Sequence, residues 1–445
     1  MFKRESRSLL AHLAGLALLC QCGSHQEPLS AAQGGQGEAG RNAAGGGQGG
    51  ASALAGSAGQ GGGKSGTGSG SAGSDTSAGT SGKGGTDSST AGSAGSAGST
   101  AQPTFMLGAD ISSVQEAMDA GAHYVDTDGM SKSVLAILAN HGFNYIRLRT
   151  FVDPDALYGY ANPNGQAEFR KAESYCDTQH TLQLAQQVKQ AGMGLLLDLH
   201  YSDNWADPGK QVIPAAWRGV STIQELASNV EEYTKDVVTT LVNGGARPDM
   251  VQIGNEITPG LLIHVPAADP QPDQWGNITK VTNAVNGSTA SFANVAALLG
   301  AGLTGVKTVD PTIKVMLHIE NTKSFSAVRD WVQQIRSRGV EPDVLGLSCY
   351  TAYQGEPEIW QDTFEQLAQS LDGMSFVIAE YNPERTRANQ IMHDLPNGRG
   401  LGTFFWEPTQ SGAWGASLFT FANNTYKANT TDFAEFDALK APLGL

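Results

Sequence analysis

The sequence predicts a closed (β/α)8 barrel, and three observations carry that expectation. Past residue 104, short apolar runs alternate with segments of helical period; the runs number eight; and almost every run ends in a polar side chain. Strands that are apolar on both faces and separated by helices belong to a parallel sheet, and eight such repeats close it on itself. An open doubly wound sheet would require a glycine-rich phosphate loop after its first strand, and Gly108-Ala109-Asp110-Ile111 offers none.

In chain order, strands are expected at residues 105–110, 144–149, 194–199, 250–256, 313–319, 344–350, 375–381 and 400–406. Between them, residues 133–140, 181–190, 223–242, 292–306, 327–338 and 359–371 place apolar side chains three and four apart, as a helix packed on a sheet requires. The strand endings are Asp110, Arg147 with Arg149, His200, Asn255 with Glu256, His318, Tyr350, Glu380, and Trp406 with Glu407. In a barrel that rim is where catalytic groups gather.

The first 103 residues stand apart from this pattern. Lys3, Arg4 and Arg7 precede a mostly apolar run from Leu9 to Leu19, followed by Cys20 and Cys22. That is the order of an export leader, over residues 1–22, and the run is too short to span a bilayer. A cysteine directly after the run marks Cys20 or Cys22 as a candidate lipid anchor, although neither Leu19 nor Gln21 is the small residue that such processing prefers. Residues 23–103 are dominated by Gly, Ser, Ala, Thr and Gln. Such a stretch buries too little apolar area to offset its chain entropy, so a flexible tether is expected. The expected organisation is therefore leader, tether and a barrel domain over residues 104–445, secreted or held at a bacterial cell surface.

A formal net charge of −15 argues against nucleic acid or an anionic membrane as partner, since both select a basic face. A neutral polymer fits better, bound by a monomer. Cys176 and Cys349, far apart in sequence, read as independent buried thiols. No CxxC or HExxH spacing occurs, and neither metal nor cofactor is expected.

Two glutamates carry the chemistry. Val251-Gln252-Ile253-Gly254-Asn255-Glu256 and Phe376-Val377-Ile378-Ala379-Glu380 each place a carboxyl at the end of an apolar strand, the fourth and the seventh. Across a barrel mouth two such groups can converge to about the 5 Å that a retaining glycosidase requires, one as acid/base and one as nucleophile. Glu384 and Glu407 are the fallback carboxylates.

The Asn255-Glu256 pair resembles the large clan of barrel glycosidases in which strand four supplies the acid/base and strand seven the nucleophile. The resemblance implies that Asn255 contacts the sugar 2-hydroxyl, that Arg147 steadies Glu380 and keeps it ionised, and that Tyr350 donates to it. A drier setting would keep Glu256 protonated. The run from Asp198-Leu199-His200-Tyr201 through Asp203-Asn204-Trp205-Ala206-Asp207-Pro208-Gly209-Lys210-Gln211, with Pro214 and Trp217, is similar to the most distinctive signature of glycoside hydrolase family 53, the arabinogalactan endo-β-1,4-galactanases. Gly108-Ala109-Asp110-Ile111-Ser112-Ser113-Val114, Arg147-Leu148-Arg149, Gln252 to Thr258, Gly346-Leu347-Ser348 and Phe405-Trp406-Glu407-Pro408 match the family in the same order. Catalytic roles for Glu256 and Glu380 follow from the resemblance, with sugar contacts from Asp110, Arg147, His200, Trp205, Asp207, Asn255, His318, Tyr350 and Trp406, and with plant cell-wall galactan as substrate.

The chain also departs from the family. A Tyr-Tyr-Pro and a Trp-His pair usually follow the strand-six serine, where this chain has Cys349-Tyr350-Thr351-Ala352-Tyr353-Gln354, which implies altered sugar contacts. Ile263 stands where a tryptophan is usual, and Tyr381-Asn382-Pro383 replaces Thr-Gly-Tyr-Pro after Glu380. The connection from Glu380 to Gly400 is short, whereas bacterial members carry a long one that can hold calcium; no calcium site is expected here. Two rival readings remain beside the galactanase. One is a non-catalytic galactan-binding surface lipoprotein, the other a retaining glycanase acting on a different β-linked polysaccharide such as mannan.

Overall fold

A computed structural model describes residues 105–161, 175–267, 278–281, 285–410 and 415–445. The expected leader, tether and lipid anchor lie outside these residues. Eight parallel strands form a closed barrel: β1 (Met106–Asp110), β2 (Tyr145–Thr150), β3 (Gly194–Leu199), β4 (Met250–Ile253), β5 (Lys314–Ile319), β6 (Val344–Cys349), β7 (Ser375–Tyr381) and β8 (Gly400–Trp406). Each strand pairs with its neighbours in sequence, and β8 closes on β1 in the register Asp110 opposite Trp406. The doubly wound alternative is thereby excluded.

Side chains fill the barrel from below. Met106, Tyr145, Leu196, Met250, Met316, Val344, Val377, Ala379 and Phe404 form a buried apolar plug. Glycine makes room for its rings: a Cβ at Gly108 would lie 2.4 Å from the Phe404 ring, and one at Gly194 would lie 2.2 Å from Tyr145. Above the plug the inward positions turn polar, and parallel register aligns them. Asp110 sits beside Arg147, Arg149 beside Asp198, Asp198 beside Gln252, and Glu380 beside Ser348.

Helices α1 (Val134–Asn140), α2 (Thr178–Gln190), α3 (Ile223–Asn243), α4 (Phe292–Val309), α5 (Phe325–Arg336) and α6 (Pro357–Ser370) surround the barrel close to their expected positions. Their N-termini are set by side-chain caps where the sequence supplies them. Ser133, Asp177 and Ser324 cap α1, α2 and α5, and Thr222 with Glu225 forms a reciprocal capping box on α3.

Besides two short helices at Val114–Asp119 and Thr351–Gln354, two longer ones were not anticipated: α7 (Arg385–His393) between β7 and β8, and α8 (Thr430–Leu443) at the C-terminus. The first reads RTRANQIMH, too polar for a clear apolar stripe, yet Ala388, Ile391 and Met392 are buried. The second buries Phe433, Phe436 and Leu439 against the barrel, roughly 1.5–3 kcal/mol of apolar transfer for each ring. Strand four also ends sooner than expected. Gly254 at φ 77° and Glu256 at φ 49° leave the extended region, so the chain turns just as it reaches the catalytic candidate. Cys176 and Cys349 are free and buried.

Candidate active site

Arg147 is the centre of the barrel mouth. The side chain lies within β2, fully buried, and all of its donor nitrogens are engaged. Nε donates to Gln252 Oε1 at 3.1 Å. Nη1 donates to Asp110 Oδ2 at 3.1 Å and Glu380 Oε1 at 2.8 Å. Nη2 donates to Asp198 Oδ2 at 2.7 Å and Asn255 Oδ1 at 2.8 Å. Three carboxylates around one guanidinium hold it firmly charged and raise its pKa, although burial opposes them. Burial alone would push Asp198 up, but Arg147 and His200 overcome it and hold the carboxyl below its ordinary value.

Glu380 is buried at the end of β7. Its second oxygen, Oε2, accepts from the Tyr350 hydroxyl at 3.0 Å. Burial pushes this carboxyl up to about 7, against the pull of Arg147 and the Tyr350 hydrogen bond. Arg147 does lower this carboxyl, as the resemblance implies, but burial and the neighbouring charges of Asp198 and Asp110 outweigh it.

Among the described residues no cation pairs with Glu256. Oε1 lies 2.7 Å from Ser348 Oγ, and the residue is partly open to the mouth. Burial of the carboxyl, together with the nearby charges of Glu380 and Glu320, raises its pKa well above the ordinary glutamate value. Ser348 is the register neighbour of Glu380, so the two carboxyls flank one position on β6. A left-handed backbone at a non-glycine residue costs on the order of 1 kcal/mol or more, and it tends to persist where it aims a functional group. Tyr201, Glu256 and Glu407 all have it, each just beyond a strand end.

The predicted contacts fall into two layers. Trp205, Trp406 and Asp207 form the rim. The two indoles meet edge to face at 5.9 Å, the Arg149 guanidinium lies 4.0 Å from the centre of the Trp205 ring, and Asp207 pairs with Lys210 at 3.0 Å. Beneath them Asp110, Arg147, His200, Asn255, His318 and Tyr350 are buried. His200 accepts at Nδ1 from the Ala206 amide and donates from Nε2 to Asp198. His318 lies 2.8 Å from Asn255 Oδ1 through Nδ1 and 2.9 Å from Ser348 Oγ through Nε2. Both imidazoles are thus occupied by protein partners. Asn255 donates one amide hydrogen to the Ala206 carbonyl at 2.9 Å, and its second has no partner among the described residues.

Three members of this network were not singled out from sequence. Asp198 interrupts the run Gly194-Leu195-Leu196-Leu197-Asp198-Leu199, and an acidic residue inside an apolar strand is the signal that could have found it. Gln252 and Ser348 are neutral residues in buried strands, marked only by lying within runs that match the family. Glu407, a fallback carboxylate, is instead engaged by Arg149 at 2.6 Å and Ser113 at 2.5 Å. Among the described residues no three His, Cys, Asp or Glu side chains converge in a way that would hold a metal ion.

A cation-braced carboxyl beside a second carboxyl held neutral is the pairing used to cleave glycosidic bonds. Comparison with known proteins agrees. Residues 106–390 match the family model described as glycosyl hydrolase family 53. An arabinogalactan endo-beta-1,4-galactanase A from Emericella nidulans is 32% identical over 338 residues, covering 68% of this chain and 84% of its own length. The arabinogalactan endo-beta-1,4-galactanase of Humicola insolens is 30% identical over 339 residues, 68% of this chain and 88% of that one. Among solved structures, the family 53 catalytic domain of Ignisphaera aggregans superposes with a TM-score of 0.62 at 26% identity, covering 76% of this chain and 97% of that domain. With the model matched over most of the barrel and both glutamates standing at its mouth, the chain belongs to glycosyl hydrolase family 53 and is a glycosidase.

Proposed function

We propose that the enzyme cleaves β-1,4-galactosidic linkages within galactan, the side chains of pectic type I arabinogalactan, with net retention. The observation that carries this reading is the asymmetry of the two buried glutamates. Glu380, braced by Arg147 and Tyr350, is the nucleophile that attacks the anomeric carbon. Glu256, without a cation, is the acid that protonates the departing oxygen and then the base that activates water. Trp205 and Trp406 offer ring faces to the apolar faces of pyranoses, and the spare hydrogen of Asn255 is available to a sugar hydroxyl. The named activities of the Emericella and Humicola relatives support galactan as substrate. We further propose that residues 1–103 export the enzyme and tether it at the cell surface.

Reducing-sugar release from potato galactan, arabinogalactan, mannan and cellulose tests the substrate. Galactan should be cleaved in preference to the others, giving oligosaccharides of retained configuration at the new end. Preferred cleavage of mannan would move the chain to another glycanase class, and no hydrolysis with measurable galactan affinity would leave a binder.

A further inference from the structure

Behind Glu256 runs a chain of hydrogen bonds whose direction can be worked out atom by atom. The Asn255 amide cannot be flipped: Nδ2 donates to the Ala206 carbonyl, and Oδ1 faces Arg147, which only donates. His318 Nδ1, 2.8 Å from that Oδ1, must therefore carry a hydrogen. His318 itself is neutral, because burial and Arg147 hold its pKa well below the ordinary histidine value. Its Nε2 is then a lone pair, and the hydroxyl of Ser348, 2.9 Å away, has to donate to it. Against a carboxylate the Ser348 hydroxyl would donate to Glu256 Oε1 across this 2.7 Å contact and lower that carboxyl's pKa; with its hydrogen spent on His318 Nε2, Oγ presents only lone pairs there. A carboxylate there would set two acceptors against each other, whereas a carboxylic acid completes the chain.

We infer that His318 and Ser348 are positioning residues that select the protonated form of Glu256, because their hydrogen bonds are all satisfied only when Glu256 carries a proton. The inference rests on the reading of Glu256 as acid/base. During bond cleavage the Glu256 O–H bond breaks and a new O–H bond forms on the departing oxygen. The Ser348 hydroxyl then turns from His318 Nε2 to the carboxylate, leaving Nε2 without a donor. When the attacking water returns a proton to Glu256, Ser348 turns back. No proton crosses the relay; only the hydroxyl rotates, and Gln252 Nε2, 3.3 Å from Nδ1, is the one other donor near the ring.

Other charges act on the same groups. Glu380, Glu320 and Asp207 face Glu256 and favour its neutral form, while Arg147, Asp198 and His200 face His318. These charges remain in a Ser348→Ala variant, so the sign of its effect isolates the hydroxyl. An acceptor for the acid is lost, and the basic limb of kcat/KM against pH on galactan should move down by roughly half a pH unit, the size of one neutral hydrogen bond. His318→Phe should move it the same way, with no further change in the double variant, and Ser348→Thr should restore it. A basic limb that stays in place or moves up in Ser348→Ala would mean that Ser348 donates to a carboxylate, and would overturn the inference.

A second measurement does not depend on activity. Nitrogen-15 spectra of the histidine-labelled full chain, with His318 assigned by its loss in the variant, should show one neutral ring protonated at Nδ1. A ring protonated at Nε2, or at both nitrogens, would overturn the inference independently of kinetics. If Glu256→Gln keeps full activity while His318 shows the Nδ1 form, the catalytic assignment fails and the hydrogen-bond direction stands.

Discussion

The two glutamates at the barrel mouth occupy contrasting surroundings. Glu380 meets a guanidinium on one oxygen and a phenol on the other, and Glu256 meets a single serine hydroxyl. Both are taken out of bulk water, which by itself favours the neutral acid in each case. The difference lies in what opposes that tendency. On the β7 side a buried cation does, and on the β4 side no cation among the described residues does, so in the proposed mechanism a proton shared by the pair settles on Glu256. In the proposed mechanism the two identical side chains take opposite roles because their neighbours differ.

The largest expected effect separates those roles directly. Glu380→Gln should remove hydrolysis of every substrate, by about three orders of magnitude or more, because no nucleophile remains. Glu256→Gln should lose roughly 10²–10⁴-fold on galactan but far less on an aryl galactoside whose leaving group needs no proton. Equal losses on both substrates would erase the contrast.

Arg147→Met comes next. It would leave Asp110, Asp198 and Glu380 around a missing cation, and breaking a buried charge network in this way costs about 3–5 kcal/mol. Denaturant unfolding of the variant should show that loss, and a change below about 1 kcal/mol would mean that the cluster is worth little to the fold. Ser348→Ala on the other side should be much milder.

A smaller effect appears in the pH profile. Glu380 must be ionised to attack, and its carboxyl is raised to about 7, so kcat/KM should fall as pH drops through about 7. An acidic limb near the ordinary glutamate value of 4.5 would show that Arg147 dominates burial after all.

The smallest expected effect is on stability. Glu256 has a folded-state pKa raised well above 4.5, so its favourable contribution is complete below that value and is lost as pH rises through the folded one. At pH 8 Glu256→Gln should therefore melt higher than the wild type, by about 1–3 °C, with the difference vanishing near pH 4. A lower melting temperature at pH 8 would mean that the carboxylate is paired in a way this geometry does not provide.

Much of this site was legible in one dimension. Glu256, Glu380, Arg147 and Tyr350 stand at strand ends, and a barrel brings strand ends to one rim whatever the loops do. The eight strands themselves were readable because a parallel barrel buries both faces, which leaves continuous apolar runs. Helices α7 and α8 were not readable, since their buried faces pack on residues distant in sequence, which periodicity does not register. His200 and His318 were expected at the mouth for the same reason as the glutamates. Their positions beneath it are held by Asp198, two residues before His200 on β3, and by Ser348, which reaches His318 from the neighbouring strand β6.

By itself the sequence determined the repeat of strand and helix, the residues that crown it and the family to which it belongs, because these rest on local pattern and ordered motifs. Resemblance implied which carboxyl keeps a proton, but only the tertiary structure supplies a physical reason for it. That outcome depends on burial, on how one arginine is shared among three acids, and on the direction of hydrogen bonds across β4, β5 and β6. Those are properties of distance in three dimensions, and no spacing along the chain encodes them.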